Sequence, residues 1–301
     1  MMQTTRLTIP FIALGVCAGL SGAPRSPRIS PGIYRVAADG SAPTKHAYGT
    51  LDNRIFGVFD GHRGGSVATH AAARLPNRIE SGMSQAETSR DVRKAIVRAF
   101  RREDRVLQRK KSYQSGAGTF GAVVLHQGKD VYIAHIGSTR AFVILKHKGR
   151  IWSSRNHVLG NSAERDRVRG ERGYVWTDAK NRNSIIAKRG KTDCRSYRCT
   201  TRALGDFYQS KSGELRKPRG LAAIPDIRKF HAKNVRAIFV LTESVWTVMD
   251  QDALKKKFKE LLSSQEPTER WAQNIVEASR EAARQKHAKV HDMTALVIRF
   301  E

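Results

Sequence analysis

Three consecutive residues, Asp60, Gly61 and His62, carry groups that could bind a cation and move a proton. Aspartate is a hard oxygen ligand suited to Mg²⁺ or Mn²⁺, and histidine exchanges its proton near neutral pH. The preceding residues, 55–59, are mostly apolar, which predicts a buried strand that delivers the carboxylate to the edge of a sheet. The same pattern also fits an ordinary strand–loop–helix junction, in which Asp60 is solvated and Ser66 caps the next helix.

The periodicity of the apolar residues predicts the elements that position this segment. Helical spacing is expected at 66–79, 89–111, 163–169, 250–262 and 267–287, and strands are expected at 32–36, 55–59, 118–125, 130–136, 140–145, 224–230, 235–242 and 293–300. The region 24–48 reads as an extended lead-in, and 153–200 as a polar surface flap. Two helix pairs and two groups of strands indicate an α+β fold, a four-layer α-β-β-α sandwich of two antiparallel sheets flanked by helix pairs.

Eight segments, in order, resemble the motifs of the metal-dependent protein phosphatases of type 2C, the PPM family. They are Phe56–Gly65 (FxVFDGHGG), Gly118–Ala122 (GSTA), Ala134–Arg140 (ANxGDSR), Asn156–Val175 (DHxP…E…RI…GGxV), Thr201–Asp206 (SRALGD), Ile224–Ile227 (PDI), Val240–Thr247 (LASDGLWD) and His291–Thr294 (DNMT). The resemblance runs from about residue 31 to 300. It implies one phosphatase-like domain over residues 24–301, with the same sandwich of sheets and helix pairs.

The resemblance also implies an activity and roles for four residues. The family hydrolyses phosphoserine and phosphothreonine in proteins, using a water molecule activated by two Mn²⁺ or Mg²⁺ ions. Asp60 stands at the position of the bridging metal ligand, and Gly61 at that of the carbonyl ligand. His62 stands at the position of the proton donor. Arg35 lies where an arginine grips the substrate phosphate, a task that suits a guanidinium group.

Several metal-ligand positions depart from the family pattern. Asp39 replaces a glutamate, Glu243 replaces an aspartate, and His291, followed by Asp292, takes the place of the last ligand aspartate. Neutral residues replace carboxylates elsewhere in the motifs: Gly40, Ser138 and Thr247. The extra methylene of Glu243 displaces its oxygen by about 1 Å in a site that needs tighter positioning, and a neutral histidine suits Mg²⁺ poorly. One or two ions with reduced affinity are therefore expected, unless these are ordinary polar residues on a scaffold that no longer binds metal.

The net charge of +28, from 55 Lys and Arg against 27 Asp and Glu, is extreme for an enzyme of this size. Such a charge attracts nucleic acid, acidic lipid surfaces or phosphorylated proteins, although a solvated basic surface without a single partner is the simpler alternative. The basic residues are spread along the whole chain. Basic clusters such as 109–111 and 255–257 fit nuclear-import signals, or solvated helix faces.

Residues 1–23 have the basic start, the apolar run and the small residues of a signal peptide, which predicts entry into the secretory pathway. No other stretch is predicted to span a membrane, and a monomer is expected. Cys17 would leave with the signal peptide. Cys194 and Cys199 are expected to form a local disulfide or to remain free thiols, since no further ligands with metal-site spacing accompany them.

Three functions remain open at this point. The chain could be a working Ser/Thr phosphatase with a remodelled, Mn²⁺-dependent centre, although we expect the activity to be weak or lost. It could be a pseudophosphatase that binds a phosphoprotein or another partner without hydrolysing it. It could also be an effector that binds polyanions, such as nucleic acid, through its basic surface.

Overall fold

The computed structural model describes residues 27–40, 45–110, 116–177, 183–186, 200–210 and 212–301. The predicted signal peptide and all three cysteines lie outside these residues, so both remain predictions. No helix among the described residues is long and apolar enough to cross a membrane.

Two antiparallel sheets form the centre of the molecule. The strands, in chain order, are β1 (Ile29–Val36), β2 (His46–Leu51), β3 (Ile55–His62), β4 (Gly118–Gln127), β5 (Asp130–Ile136), β6 (Arg140–Leu145), β7 (Ile151–Ser153), β8 (Tyr174–Thr177), β9 (Asn183–Ile186), β10 (Leu204–Gly205), β11 (Tyr208–Gln209), β12 (Leu215–Arg216), β13 (Asp226–His231), β14 (Val235–Leu241) and β15 (Met293–Phe300). One sheet has the order β1-β15-β14-β6-β7, and the other has the order β13-β5-β4-β3-β2 with β10 beside β4.

The helices are α1 (Ser66–Ser81), α2 (Ser89–Arg109), α3 (Ser162–Gly170), α4 (Glu243–Trp246), α5 (Gln251–Ser263) and α6 (Thr268–Gln285). The helix α2 begins where Thr88 and Asp91 form a reciprocal capping box, which satisfies free backbone N–H groups of the first turn. The predicted helices agree with these bounds to within about two residues, a difference of the size expected at fraying ends.

Each helix pair covers the outer face of one sheet. One apolar cluster joins α1 and α2 to the sheet that contains Phe59, and a second joins α5 and α6 to the sheet that contains Phe239. A third cluster, which includes Phe56, Val58 and Ile238, fills the space between the two sheets. The predicted four-layer α-β-β-α sandwich is therefore confirmed.

The strand β2 was absent from the sequence prediction, which treated residues up to 48 as an extended lead-in. It exists because residues 51–55 form a tight hairpin. Asp52 and Asn53 both have positive φ angles, 50° and 48°, and short polar side chains tolerate that conformation best. This turn pairs Leu51 with Ile55 and, at the far end of the same two strands, His46 with Asp60.

Strand alternation decides which side chains face the gap between the sheets. Phe56 and Val58 pack between the sheets, so Asp60 lies on the same face of β3 at the end of that gap. On the opposite sheet, Leu296 and Ile298 pack into the same gap, which places Thr294 on that face of β15. One end of the sandwich therefore collects polar side chains from both sheets.

Candidate functional site

A cleft of about 590 Å³ opens at this end of the sandwich. The end of β3, the residues just before β15 and the short helix α4 surround it. The residues that line it are Ala38, Lys45, His46, Asp60, Gly61, His62, Arg63, Phe120, Glu243, Ser244, Thr247, Lys289, Val290, His291 and Asp292.

Six of the eight site residues named from the sequence line this cleft: Asp60, Gly61, His62, Glu243, His291 and Asp292. The other two, Arg35 and Asp39, are exposed and are not lining residues. Arg35 lies on β1 opposite Thr294, next to the cleft. Asp39 lies in the turn that follows β1, which a hydrogen bond from Gly40 N–H to the Ala37 carbonyl closes.

Both oxygens of the Asp60 carboxylate have a polar partner close by. His46 Nε2 lies 3.0 Å from Asp60 Oδ1, and the Glu243 backbone N–H donates to Asp60 Oδ2 at 3.4 Å. The carboxylate can only accept, so the His46 ring must present a proton to it. The other ring nitrogen, Nδ1, lies 3.0 Å from Thr294 Oγ1, and His46 is buried. The imidazole therefore ties both sheets to the central acid of the cleft.

The sequence prediction did not include His46. The Asp52–Asn53 turn could have revealed His46, because it fixes the register of the hairpin and places residue 46 directly opposite residue 60.

His62 forms the second ion pair of the site. Its Nε2 lies 2.6 Å from Oδ1 of Asp206, an almost fully buried residue that follows β10 with a φ of 59°. Burial alone would lower the pKa of His62, but the charge and hydrogen bond of Asp206, with a contribution from Asp60, raise it overall. Asp206 belongs to the SRALGD-like segment, but a role as partner of His62 was not predicted.

Gly118 allows this pair to form. A Cβ atom at Gly118 would lie only 2.6 Å from both Asp206 Oδ2 and His62 Nε2. Any larger residue at this position of β4 would therefore displace one member of the pair.

On the other side of the cleft, the substituted positions satisfy local backbone groups. The Ser244 hydroxyl donates to the carbonyl of Asp292, and the Thr247 hydroxyl donates to the carbonyl of Glu243 at 2.7 Å. The Asp292 carboxylate accepts from the Ala38 N–H at 3.4 Å. These hydrogen bonds link α4, the segment before β15 and the turn after β1.

Glu243 reaches the surface, yet the surrounding protein desolvates its carboxylate enough to raise its pKa. The nearby Ser138 hydroxyl and His291 oppose this shift, whereas the negative charge of Asp60 adds to it. Two carboxylates of the cleft are therefore close enough to repel each other.

A metal site requires several ligand atoms that converge on one point. Among the described residues, one group of three His, Cys, Asp or Glu residues has its ligand atoms within 4.8 Å of one another, and it consists of His135, His157 and Asp226. The cleft residues do not form such a group. Asp60 also has both oxygens engaged, so the cleft does not present the carboxylate cluster that two divalent ions require.

The group of His135, His157 and Asp226 is itself an ion-pair network. The Gly137 N–H donates to His157 Nδ1 at 3.1 Å, which leaves the ring proton on Nε2, facing Asp226 Oδ2 at 3.1 Å. Arg202 Nη1 lies 2.8 Å from the other Asp226 oxygen. Arg202 and His157 therefore already pair with the Asp226 carboxylate as the group stands. Burial and His157 lower the pKa of His135 to about 4, so that ring is neutral at pH 7.

The fold has clear counterparts among solved structures. A serine-threonine phosphatase 2C from Toxoplasma gondii superposes with a TM-score of 0.70 over 93% of this chain and 98% of that chain, at 16% identity. A C. elegans sex determining protein gives a TM-score of 0.67 over 93% of this chain and 66% of that one, also at 16% identity. At this identity the likeness shows the fold alone, and the fold is that of a type 2C phosphatase.

Sequence comparison identifies the family. The protein phosphatase 2C family model matches residues 36–288, and the chain belongs to that family. It is 28% identical over 273 residues to "Probable protein phosphatase 2C 72" of Arabidopsis thaliana, covering 83% of this chain and 78% of that one. It is 23% identical over 226 residues to "Protein phosphatase 2C homolog 2" of Hypocrea jecorina, covering 74% of this chain and 48% of that one. The family is metal-dependent and acts on phosphoproteins, as the sequence resemblance implied.

Proposed function

We propose that this chain is a phosphoprotein-binding member of the protein phosphatase 2C family whose metal centre is remodelled and whose hydrolytic activity is weak or lost. The ion pair between His46 Nε2 and Asp60 Oδ1, 3.0 Å apart, is the observation that carries this proposal. It sets an imidazole of the chain beside the carboxylate that the family resemblance assigns to bridging two metal ions.

The chemistry of the family explains why this pair matters. Attack on a phosphate monoester at neutral pH needs a metal-activated water and cations that neutralise the developing charge. In this cleft the central carboxylate bonds to an imidazole and a backbone N–H, and the hydroxyls of Ser244 and Thr247 bond to backbone carbonyls. The central carboxylate and both hydroxyls are therefore already engaged by groups of the chain itself.

The same cleft keeps the features that would bind a phosphate group. Lys45, Arg63 and Lys289 line it, all three are exposed, and none makes a salt bridge to another described residue. Asp206 raises the pKa of His62, which favours its protonated form. These four groups would attract a phosphorylated side chain even though hydrolysis is impaired.

A residual Mn²⁺-dependent phosphatase is the second candidate. Besides desolvation, the nearby charge of Asp60 raises the pKa of Glu243. This proximity favours the second candidate, because a single divalent cation would relieve the repulsion between the two carboxylates.

Turnover and binding of a phosphothreonine peptide, each measured with Mn²⁺ and with a chelator, distinguish the two candidates. The proposal predicts peptide binding that the chelator does not change, no detectable Mn²⁺ heat in calorimetry, and no turnover above that of Asp60→Asn. Turnover that requires Mn²⁺ and disappears in Asp60→Asn would instead establish the residual phosphatase.

A pair of charge-matched variants assigns the binding to the cleft. Lys45→Gln with Lys289→Gln should weaken peptide binding about tenfold, since each removes one charge-assisted contact. Lys255→Gln with Lys256→Gln removes the same charge from the exposed face of α5 and should leave binding nearly unchanged. Equal losses in both variants would show that the peptide responds only to net charge.

A further inference from the structure

The outer face of α2 carries six exposed arginines that the proposed function does not use. We call this set the α2 arginine stripe: Arg90, Arg98, Arg101, Arg102, Arg105 and Arg109. At 3.6 residues per turn they fall within an arc of about 120° and extend over about 28 Å along the helix axis. The buried residues Val92, Ile96 and Phe100 fix the opposite face against the core, so the stripe points away from the molecule.

The charges of the stripe are almost uncompensated. Within the described part of the chain, none of its guanidinium groups makes a salt bridge; Arg105 Nε donates to the Arg101 carbonyl at 3.4 Å. The three acidic residues of α2 interact with groups other than these arginines. Asp91 caps the helix and lies 3.9 Å from Lys94, Glu103 is buried against Arg78, and Asp104 pairs with Lys217 at 2.6 Å.

Another surface helix of the same molecule shows what an ordinary solvated face looks like. The exposed charged residues of α6 include Glu269, Arg270, Glu277, Glu281 and Arg284, so both signs alternate. They form local contacts such as Arg284 Nη1 to Glu281 Oε2 at 3.4 Å. In α2, by contrast, arginines repeat at spacings of three and four, where like charges destabilise a helix. A bound polyanion would remove that repulsion.

We propose that the α2 arginine stripe binds the phosphate backbone of double-stranded nucleic acid without regard to sequence. All six residues are arginine, whose planar guanidinium group pairs with phosphate through two hydrogen bonds. A straight, convex row of charges matches the regular spacing of phosphates along a duplex. No apolar residue of α2 is exposed, which disfavours insertion into a lipid surface. The inference does not depend on the proposed function of the cleft.

The test measures binding of the full chain to a short fluorescent DNA duplex of arbitrary sequence between about 50 mM and 200 mM salt. The stripe variant is Arg98→Gln with Arg101→Gln and Arg105→Gln. The control is Lys255→Gln with Lys256→Gln and Lys259→Gln, which removes three exposed positive charges from α5. The slope of log K against log salt should fall by about 2 to 3 in the stripe variant and by less than about 1 in the control.

A third variant separates charge from geometry. Arg98→Lys with Arg101→Lys and Arg105→Lys keeps the charge, so the salt slope should stay close to that of the unmodified chain while affinity falls several-fold. Circular dichroism checks that each variant retains its helices. The proposal is overturned if the duplex does not bind at about 50 mM salt, or if the stripe and control variants lose affinity equally. It is also overturned if polyglutamate binds as tightly as the duplex and depends on the same arginines, because the surface would then serve acidic proteins.

Discussion

Asp206 Oδ1 lies 2.6 Å from His62 Nε2, although 144 residues separate the two in the chain. The pair joins the end of β3 to the turn after β10 and places a buried carboxylate behind the histidine that faces the cleft. The acid raises the pKa of His62 against the effect of burial, which favours the protonated ring.

Removing that carboxylate should lower the pKa of His62. In Asp206→Asn the geometry remains but the charge is lost, and the remaining effect of burial favours the neutral ring. An NMR titration of the His62 ring protons would measure the shift. An unchanged pKa in this variant would show that Asp206 does not set the protonation of His62.

The same pair makes stability depend on pH. Because the pKa of His62 is higher in the folded protein than in the unfolded chain, its stabilisation is complete below about pH 6.5 and is lost as the pH rises through the folded value. Urea unfolding of the unmodified chain and of Asp206→Asn across pH 5 to 9 tests this. The difference in unfolding free energy between them should shrink towards the alkaline end, and a constant difference would contradict the linkage.

Gly118→Ala should disrupt this pair without changing any charge. The added methyl group would lie 2.6 Å from both partners, so we expect a loss of about 2 kcal/mol in unfolding free energy and a lower pKa of His62. Gly170→Ala is the matched control, since Gly170 ends α3 and a Cβ atom there meets no neighbour within 4 Å. That variant should be neutral or slightly more stable. Equal losses in both variants would exclude the close-approach explanation.

Glu164 anchors the helix of the flap to the sandwich, and its loss should be costly. Burial would raise its pKa, but hydrogen bonds from Arg202, Arg167 and Thr201 outweigh burial and lower the pKa to about 2. Because this value lies below the ordinary 4.5, the stabilisation is present above about pH 4.5 and disappears as the pH falls towards 2. Glu164→Gln should cost about 3 kcal/mol at pH 7 and little at pH 2 to 3.

Glu171→Gln is the control for that measurement. Glu171 also pairs with Arg167, at 2.9 Å, but its side chain is 45% exposed. Its loss should cost less than about 1 kcal/mol, as for other surface ion pairs. Urea denaturation at both pH values compares the two variants, and a loss for Glu171→Gln as large as that for Glu164→Gln would refute the anchoring role.

Restoring the family's carboxylates should restore metal binding. We expect Glu243→Asp with Thr247→Asp and His291→Asp, together with His46→Gln, to gain a Mn²⁺-dependent rise in thermal midpoint that the unmodified chain lacks. Saturation at about 100 times Kd would contribute about 2.7 kcal/mol, enough to raise the midpoint by several degrees. Differential scanning fluorimetry with Mn²⁺ and with a chelator reports the shift, and a Mn²⁺-dependent rise in the unmodified chain would contradict the remodelled centre.

Local sequence patterns predicted most of the fold. Strands such as Asp130–Ile136 and Arg140–Leu145 were predicted to the residue because turn residues bound them on both sides. The strand His46–Leu51 was missed because Gly49 and polar residues interrupt its alternation. The two histidine–aspartate pairs of the site were missed for a different reason. The pair His46–Asp60 depends on strand register, and the pair His62–Asp206 depends on a contact between distant parts of the chain. Neither leaves a local pattern in the sequence.

The imidazole beside Asp60 differs from a bound ion in that it is part of the chain. A metal ion can leave, exchange or be removed by a chelator, and its occupancy follows its concentration in the surroundings. His46 cannot dissociate, because the hairpin at Asp52 and Asn53 holds it at a fixed, high local concentration. The polar partner of Asp60 in this structure is thus set by the backbone register.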